Sequence, residues 1–473
     1  MTKTTTAEGP ASAPRARQDT HPVFLVVHCG KGLLPRPAVL PLAQLPAEPL
    51  ERNQPLRHLF GRNALLPLGL TDSGISQRHF TVWRRGDQHG SQVFVEDLGS
   101  KNGTHVDGDQ LPFDPKDAPG DLQKDLQGVA TNQAEIRDGA VLRCGKTILI
   151  FRQHFPKDGV VEGPLAGVPG ETLVSPFGLG RLRRELKVLE RDYRGSSRLG
   201  RLNILLQAET GCGKELLASH VAERLGRSSP FRAVNVTTIP VTLLSSELFG
   251  IESLQGAQRS PGLVGVSNKG TLFLDEIHLL DPSVQRQLLR FLESRDYQRI
   301  GGTDTLVADV LVLTATSQDL KQFVGDDLRS RLEYIKLEIP PLRDRTEDIP
   351  ELCKEFLLRR GMSTEQVENL PVEVELMEAL LLHPWASGNA RELRNTLDKL
   401  LRVAGGSPEL RYWAWKQLRS EEAPRPTLPR SLTLQRIFRA LQETKQGRSY
   451  NFSEAARLLS MDDSTLKRRI GRL

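Results

Sequence analysis

The sequence predicts a multidomain chain: an all-β sandwich, an α/β domain with a parallel sheet and a helical lid, and a small all-α helix-turn-helix end. Three observations carry this. From about residue 22 to 154 the apolar runs are short and β-branched (FLVVH, HFTVW, QVFVEDL, TILIF), separated by clusters of Gly, Asn, Asp and Ser. From about 177 to 340 helical patterns alternate with apolar strands (NILLQ, GTLFLDE, VLVLTAT), the signature of a parallel sheet. The last forty-four residues carry ten Arg and Lys against four acidic side chains, which equals the whole formal net charge of +6.

At 473 residues there is room for about three domains of roughly 150 residues each. Hydrophobic residues make up 38%, enough for ordinary cores. No apolar run reaches the ~18–20 residues of a membrane span, and no signal peptide opens the chain. A cytoplasmic protein without a membrane partner is therefore expected. Cys29, Cys144, Cys212 and Cys353 lie far apart with no CxxC, which argues against a disulfide framework or a structural zinc. Residues 1–21 read as a disordered tail whose threonines (2, 4, 5 and 6) are candidate phosphorylation sites, and residues 112–134 read as a polar loop insertion. The Gly/Pro-rich and charged segments 155–176 and 406–430 read as linkers. The expected domains are therefore 22–154, 177–405 with a lid over 341–405, and 431–473.

After the strand 203–207 comes Ala208-Glu209-Thr210-Gly211-Cys212-Gly213-Lys214-Glu215, then a helical pattern. Glycines let backbone N–H groups curl around phosphate oxygens, while the lysine and the helix N-terminus add positive potential. As a generic phosphate loop the match is imperfect, since Ala208 stands where a glycine is usual and Glu215 where Ser or Thr is. The strand GTLFLDE (270–276) then ends in two acids at the carboxyl edge, where open α/β sheets bind ligands. Asp275 is placed to hold Mg2+, and Glu276 to polarise a water against the γ-phosphate of ATP.

Here the chain resembles the sigma-54-dependent transcriptional activators, a branch of the AAA+ ATPases. The resemblance covers about 177–403 and rests on AETGCGKELLA, AVNVTTIP, SSELFG, KGTLFLDEIHLL, LLRFLESRDYQRIGGT, PPLRDRTEDIP and GNARELRN. It makes Glu215 usual rather than anomalous. It implies that Asn235 restrains the catalytic Glu276, that Arg391 of the lid senses nucleotide, and that Arg331 completes a neighbouring subunit's site in a ring. The partners it implies are promoter-distal DNA, sigma-54 RNA polymerase and further copies of the chain, from dimer to ring.

Three positions depart from that pattern. Ser317 stands where the family has a sensor asparagine. Gly325 stands at the first finger arginine, with Arg329 as the nearby substitute. The sigma-contact stretch, GIESLQGAQRSPG (250–262), lacks the family's Phe-Thr pair and keeps only Gly256-Ala257. These departures sustain a second reading, a non-remodelling DNA-binding or scaffold regulator that holds ATP structurally.

The β-rich segment contains Gly61-Arg62, then Ser76-Gln77-Arg78-His79, then Gly99-Ser100-Lys101-Asn102-Gly103-Thr104. Arginine and serine at turns bond a phosphate carrying about −1.5 to −2 charge, and Lys101 and Arg78 raise the local potential. This ordered set resembles the forkhead-associated (FHA) domain. The resemblance implies recognition of a phosphothreonine-containing protein, with Arg62, Ser76 and Ser100 on the phosphate, Lys101 beside it and Asn102 on the peptide backbone. His79 reads as a brace for the loop.

At the end, Ala455, Ala456, Leu458 and Leu459 form one apolar face and Leu466, Ile470 and Leu473 another, with a break at Ser460-Met461-Asp462. That is a helix-turn-helix plan, similar to the Fis-type DNA-binding end of the same activators. Lys467, Arg468, Arg469 and Arg472 are set for phosphates, and Ser464 and Thr465 for base edges. Phe438 and Leu441 in the preceding helix are candidates to support a dimer.

Overall fold

Val23, Leu25 and Val27 point to one face of the strand Thr20–Cys29 and Phe24 and Val26 to the other, and all five are fully buried. A strand apolar on both faces needs two covers, and this one has them. Phe24 and Val26 enter the interior of a β-sandwich with Phe60, Phe80, Leu142, Leu149 and Phe151. The opposite residues pack instead against the helical lid.

The computed structural model describes residues 20–30, 32–48, 56–87, 90–112, 131–156, 165–166, 172–173, 179–252, 259–404, 410–419, 431–444, 451–464 and 466. The sandwich is two antiparallel six-stranded sheets. One runs in the order Gly32–Pro41, Thr20–Cys29, Thr147–Pro156, Val141–Cys144, Thr104–Val106, Asp109–Leu111. The other runs Ser431–Leu432, Gln133–Ile136, Gly90–Asp97, Phe80–Asp87, Arg57–Phe60, Ala47–Glu48. Phe60 stacks on Phe80 at 4.6 Å between ring centroids, at the centre of this core.

The α/β domain has a five-stranded parallel sheet ordered Phe231–Asn235, Thr271–Asp275, Leu311–Thr316, Asn203–Gln207, Ile335–Glu338. The domain's first strand therefore sits between its fourth and fifth. That reversal opens a crevice at the carboxyl ends, where residues 208–214 and 275–276 meet. Ile204, Leu205 and Leu206 are buried whichever face they point to, which explains why NILLQ reads as continuously apolar.

The lid comprises helices Ile349–Arg359, Thr364–Glu368, Val374–Leu382, Asn389–Val403 and Tyr412–Arg419. The last corrects the expected linker over 406–430. Ala414 and Trp415 join the lid core, and Trp415 meets the fully buried Trp385 edge to face at 6.3 Å. An apolar face made by Tyr412, Ala414 and Trp415 outweighs the charged flanks.

Sandwich and lid share one apolar core: Val23, Leu25, Val27, Val141, Ile148 and Ile150 pack with Leu376, Met377, Leu380 and their neighbours. Around it, Arg143 Nε donates to Glu378 at 2.7 Å, Arg152 pairs with Glu347, and the His28 ring meets the Val372 carbonyl at 3.2 Å.

The C-terminal end also returns to the sandwich. Ser431–Leu432 extends its second sheet, Thr433 donates to Asp109 at 2.5 Å, and Arg436 donates to the Asp107 carbonyl at 3.1 Å. Helices Leu434–Glu443 and Phe452–Leu458 then pack through Ile437, Phe438, Leu441, Ala455, Ala456 and Leu459. Phe438 and Leu441 are thus occupied within the chain, which corrects their expected use as a dimer face. Among the described residues no helix is long and apolar enough to cross a membrane.

Candidate active site and phosphate-reading face

The strand Asn203–Gln207 delivers the loop 208–213 to the sheet edge, and the helix Lys214–Arg224 starts directly behind it. Gly211 has φ +80°, and a Cβ there would lie 1.9 Å from the Gly388 carbonyl oxygen of the lid. Gly213 has φ +100° at the helix start. Both positions therefore require glycine.

Lys214 is 7% exposed, and its ammonium lies 3.2 Å from Glu276 Oε1 and 3.9 Å from Asp275 Oδ1. Glu276 is in the left-handed region, φ +56°, which turns it back toward the loop. Its other oxygen accepts from Ser317 Oγ at 2.9 Å and lies 3.4 Å from His278 Nδ1. Burial works against the Glu276 charge, but Lys214 and the hydrogen bonds from Ser317 and Lys214 prevail and hold its carboxyl below the ordinary range. At Asp275 burial wins over Lys214, and the carboxyl is raised. Two carboxylates of opposite shift thus flank one lysine at the carboxyl edge of the sheet, where open α/β sheets bind ligands.

A crevice of about 560 Å3 opens in front of them, lined by residues 210–216, Asn235, Asp275, Glu276 and, from the lid, Arg359, Arg391 and Arg394. Cys212 lies in the loop with its thiol pushed up by burial to about 11, a packing residue rather than a nucleophile. Asn235 lines the crevice, yet its side-chain oxygen accepts from Thr237 N at 2.9 Å and Thr237 Oγ1 at 2.6 Å. Ser317, not Asn235, bonds Glu276 here. Arg331, on the helix Asp326–Leu332, pairs with Glu293 at 3.4 Å and is not part of the crevice lining.

Sequence reading missed what joins the loop to the lid. Arg343 grips Glu209 with two bonds, of 2.5 and 2.8 Å, and with Asn389 depresses the Glu209 carboxyl. Asn389 Nδ2 donates to Glu209 at 3.2 Å and to the Thr210 carbonyl at 3.0 Å, while its oxygen accepts from Leu342 N. The buried Arg345 reaches the Cys212 carbonyl at 3.4 Å. The stretches PPLRDR and GNARELRN held the signal, but nothing in their spacing said that they meet the loop.

On the sandwich, Arg62 donates to the Ile75 carbonyl at 3.0 Å, and Ser76 Oγ accepts from Lys101 N at 3.1 Å. Asn102 Nδ2 donates to the Gly74 carbonyl at 2.7 Å. Arg62, Ser76, Lys101 and Asn102 thus share one loop surface. Ser100 differs: its hydroxyl donates to Asp97 at 2.7 Å, which turns its only proton away from a phosphate. His79 is buried beneath, accepting from Ser76 N and facing the Gly103 carbonyl.

At the C-terminal end, Ser464 donates to Asp462 at 2.5 Å. Thr465, Lys467, Arg468, Arg469 and Arg472 lie outside the described residues, as do the tail threonines and residues 253–258 of the sigma-contact stretch. The base of that stretch is closed by the bridge Ile251–Ser260, and Arg299 donates to Glu252 at 2.8 Å.

This fold and this crevice define an AAA+ ATPase-type domain carrying an FHA-type sandwich. Comparison with known families agrees: the sigma-54 interaction domain matches residues 187–342, the AAA+ ATPase lid domain 343–411 and the FHA domain 58–145. The nitrogen assimilation regulatory protein NtrX of Azorhizobium caulinodans is 30% identical over 329 residues, 61% of this chain and 72% of that protein. The DNA-binding transcriptional regulator NtrC of Rhizobium meliloti is 38% identical over 245 residues, 49% of this chain and 50% of NtrC. A crystal structure of NtrX from Brucella abortus in complex with ADP aligns with TM-score 0.46 and 26% identity, over 63% of this chain and 68% of that one. The chain belongs to the sigma-54-dependent transcriptional regulators. It spans about half the length of NtrC and of several other curated relatives that it matches.

Proposed function

We propose that this chain is an ATP-hydrolysing, DNA-bound transcription regulator whose FHA domain reads a phosphothreonine-containing protein. The observation that carries the reading is Lys214 held between Asp275 and Glu276 at the mouth of the glycine loop. Lys214 and the backbone N–H groups of residues 209–215 bind the β- and γ-phosphates, and Lys214 exchanges its carboxylate contacts for them. Asp275 holds Mg2+, which when bound neutralises charge on the phosphates. Glu276 orients the attacking water and takes up its proton, with Ser317 fixing the carboxylate. Arg391 senses the γ-phosphate from the lid. Arg331, outside its own crevice, serves the neighbouring subunit in a ring, where a trans arginine is worth roughly 10³–10⁵ in rate.

Within that reading, residues 22–154 are the phosphothreonine reader, 177–405 with the helix Tyr412–Arg419 the motor, and 431–473 the Fis-type DNA-binding end. Arg62, Ser76, Lys101 and Asn102 contact the phosphopeptide, and Ser100 joins once it releases Asp97. Ser464, Thr465, Lys467, Arg468, Arg469 and Arg472 contact DNA at promoter-distal sites, and sigma-54 RNA polymerase is the downstream partner.

The absence of a Phe-Thr pair between Gly250 and Gly262 favours one rival, a DNA-binding scaffold for which ATP is a structural ligand. ATPase rate against protein concentration separates the two. A rate that rises cooperatively and collapses in Glu276→Gln and Arg331→Ala supports the motor. Tight ATP binding without turnover supports the scaffold.

A further inference from the structure

The phosphate-reading loops do not face open solvent on every side. Gly74 and Asn102 border a cleft of about 500 Å3 whose other wall belongs to the lid, the segment Pro371–Glu375. Gly30, Gly74 and Gly145 line the cleft without side chains, Gly74 and Gly145 pressed against each other and Gly30 open. At Gly30 a Cβ would meet nothing within 4 Å. The lid wall is held in place by the shared apolar core and by the His28 ring against the Val372 carbonyl.

The charges of the two walls differ. Lys146 and Arg143 stand on the sandwich side, Glu373 and Glu375 on the lid side. Arg143 is committed to Glu378 at 2.7 Å and reaches Glu375 only at 4.0 Å. Glu373 accepts from Tyr412 N at 2.7 Å and pairs with Arg411 at 3.7 Å. Glu375, with half of its side chain exposed, is the carboxylate with acceptor capacity turned to the cleft.

We propose that the phosphopeptide groove is a two-domain site, in which the FHA loops take the phosphothreonine and Glu375 of the lid takes a lysine or arginine side chain of the same peptide. This rests on the phosphothreonine reading above and adds the ligand's second determinant. A peptide strand held by Asn102 runs into the cleft, and a basic side chain a few residues from the phosphate spans to the lid wall. Because the same lid carries Asn389 and Arg391 at the glycine loop, one body, the lid, is shared by the peptide cleft and the nucleotide crevice. Peptide and nucleotide affinities are then linked, and reciprocally so.

The test uses the full-length chain and fluorescein-labelled synthetic peptides with one phosphothreonine in a Ser/Ala background, read by fluorescence anisotropy. A single lysine is moved through each position on both sides of the phosphothreonine. One lysine position is expected to tighten binding about threefold to fivefold, the contribution of a half-exposed ion pair. Glu375→Gln should abolish that preference while leaving the lysine-free phosphopeptide unchanged. Glu375→Lys should transfer the preference to a peptide with glutamate at the same position. Phosphate-dependent binding that is indifferent to the lysine, or equal in wild type and Glu375→Gln, overturns the two-domain site and leaves the FHA reading standing. Absence of any phosphate-dependent binding, with Arg62→Ala indistinguishable from wild type, overturns both.

Discussion

Ser317 donates its hydroxyl to Glu276 Oε2 at 2.9 Å, while Asn235 turns its side chain to Thr237. The Glu276 carboxylate is therefore clasped from the end of the strand Leu311–Thr316 and not from Asn235; in the proposed reading that carboxylate orients the water. Hydrogen bonds to charged groups are worth about 1.5–3 kcal/mol, so losing this one frees the carboxylate without disturbing the phosphate cradle. Ser317→Ala is expected to lower kcat about tenfold, with ATP affinity within about twofold of wild type. Single-turnover hydrolysis beside equilibrium nucleotide binding checks the split.

The cradle itself is intolerant of a methyl group. At Gly211 an added Cβ meets the Gly388 carbonyl at 1.9 Å and the backbone is left-handed. Gly211→Ala should cost about 1–3 kcal/mol of stability and weaken ATP binding, because the lid must retreat from the loop. Denaturant unfolding with and without nucleotide measures both effects, and a wild-type response to ATP contradicts the account.

Sandwich and lid are joined by an ion pair with little solvent around it: the Arg143 side chain is 16% exposed and that of Glu378 9%. Arg143→Ala leaves Glu378 without its cation, at a cost of about 3 kcal/mol. Arg143→Met combined with Glu378→Gln should recover most of that loss. If the single and double variants unfold at the same denaturant concentration, the pair is not what holds this interface.

Three histidines of the sandwich have lowered pKa values. Burial is the leading cause at His28 and His79, and at His105 burial with the Arg143 cation brings the value to about 4. Well above pH 6.5 these imidazoles are neutral in the folded and the unfolded chain alike, and their contribution to stability does not change with pH. As pH falls from 6.5 toward 4 the unfolded chain takes up protons that the folded chain refuses, so stability falls. His105→Gln should flatten the Tm-against-pH curve in that window and leave it unchanged above pH 7.

The glycine loop and the Asp275-Glu276 pair are legible in the sequence because each is a run of neighbouring residues, whereas the meeting of Arg62, Ser76 and Lys101 on one surface is signalled only by the order of three separate turns. Asn389 is not legible, because its bonds to Glu209 and the Thr210 carbonyl join positions 180 and 179 residues apart. Ser100 escapes for the opposite reason: its competitor, Asp97, is close by, and only the turn's geometry tells which acceptor wins. The union of sandwich and lid is written in FLVV and TILIF, whose two-sided apolarity exceeds what a free-standing sheet face tolerates. Such runs announce strands readily, but they do not say which element covers the second face.

The short strand Ser431–Leu432 has a consequence for how the chain is held together. The polypeptide leaves the sandwich at Pro156, traverses the α/β domain and the lid, and comes back to pair with Ile136 and Glu135. The sandwich is therefore stitched in at both ends of that excursion. A single cut between Pro156 and Leu179 would not set it loose, and the helices Leu434–Glu443 and Phe452–Leu458 are tethered through Thr433 to the sandwich, not to the lid.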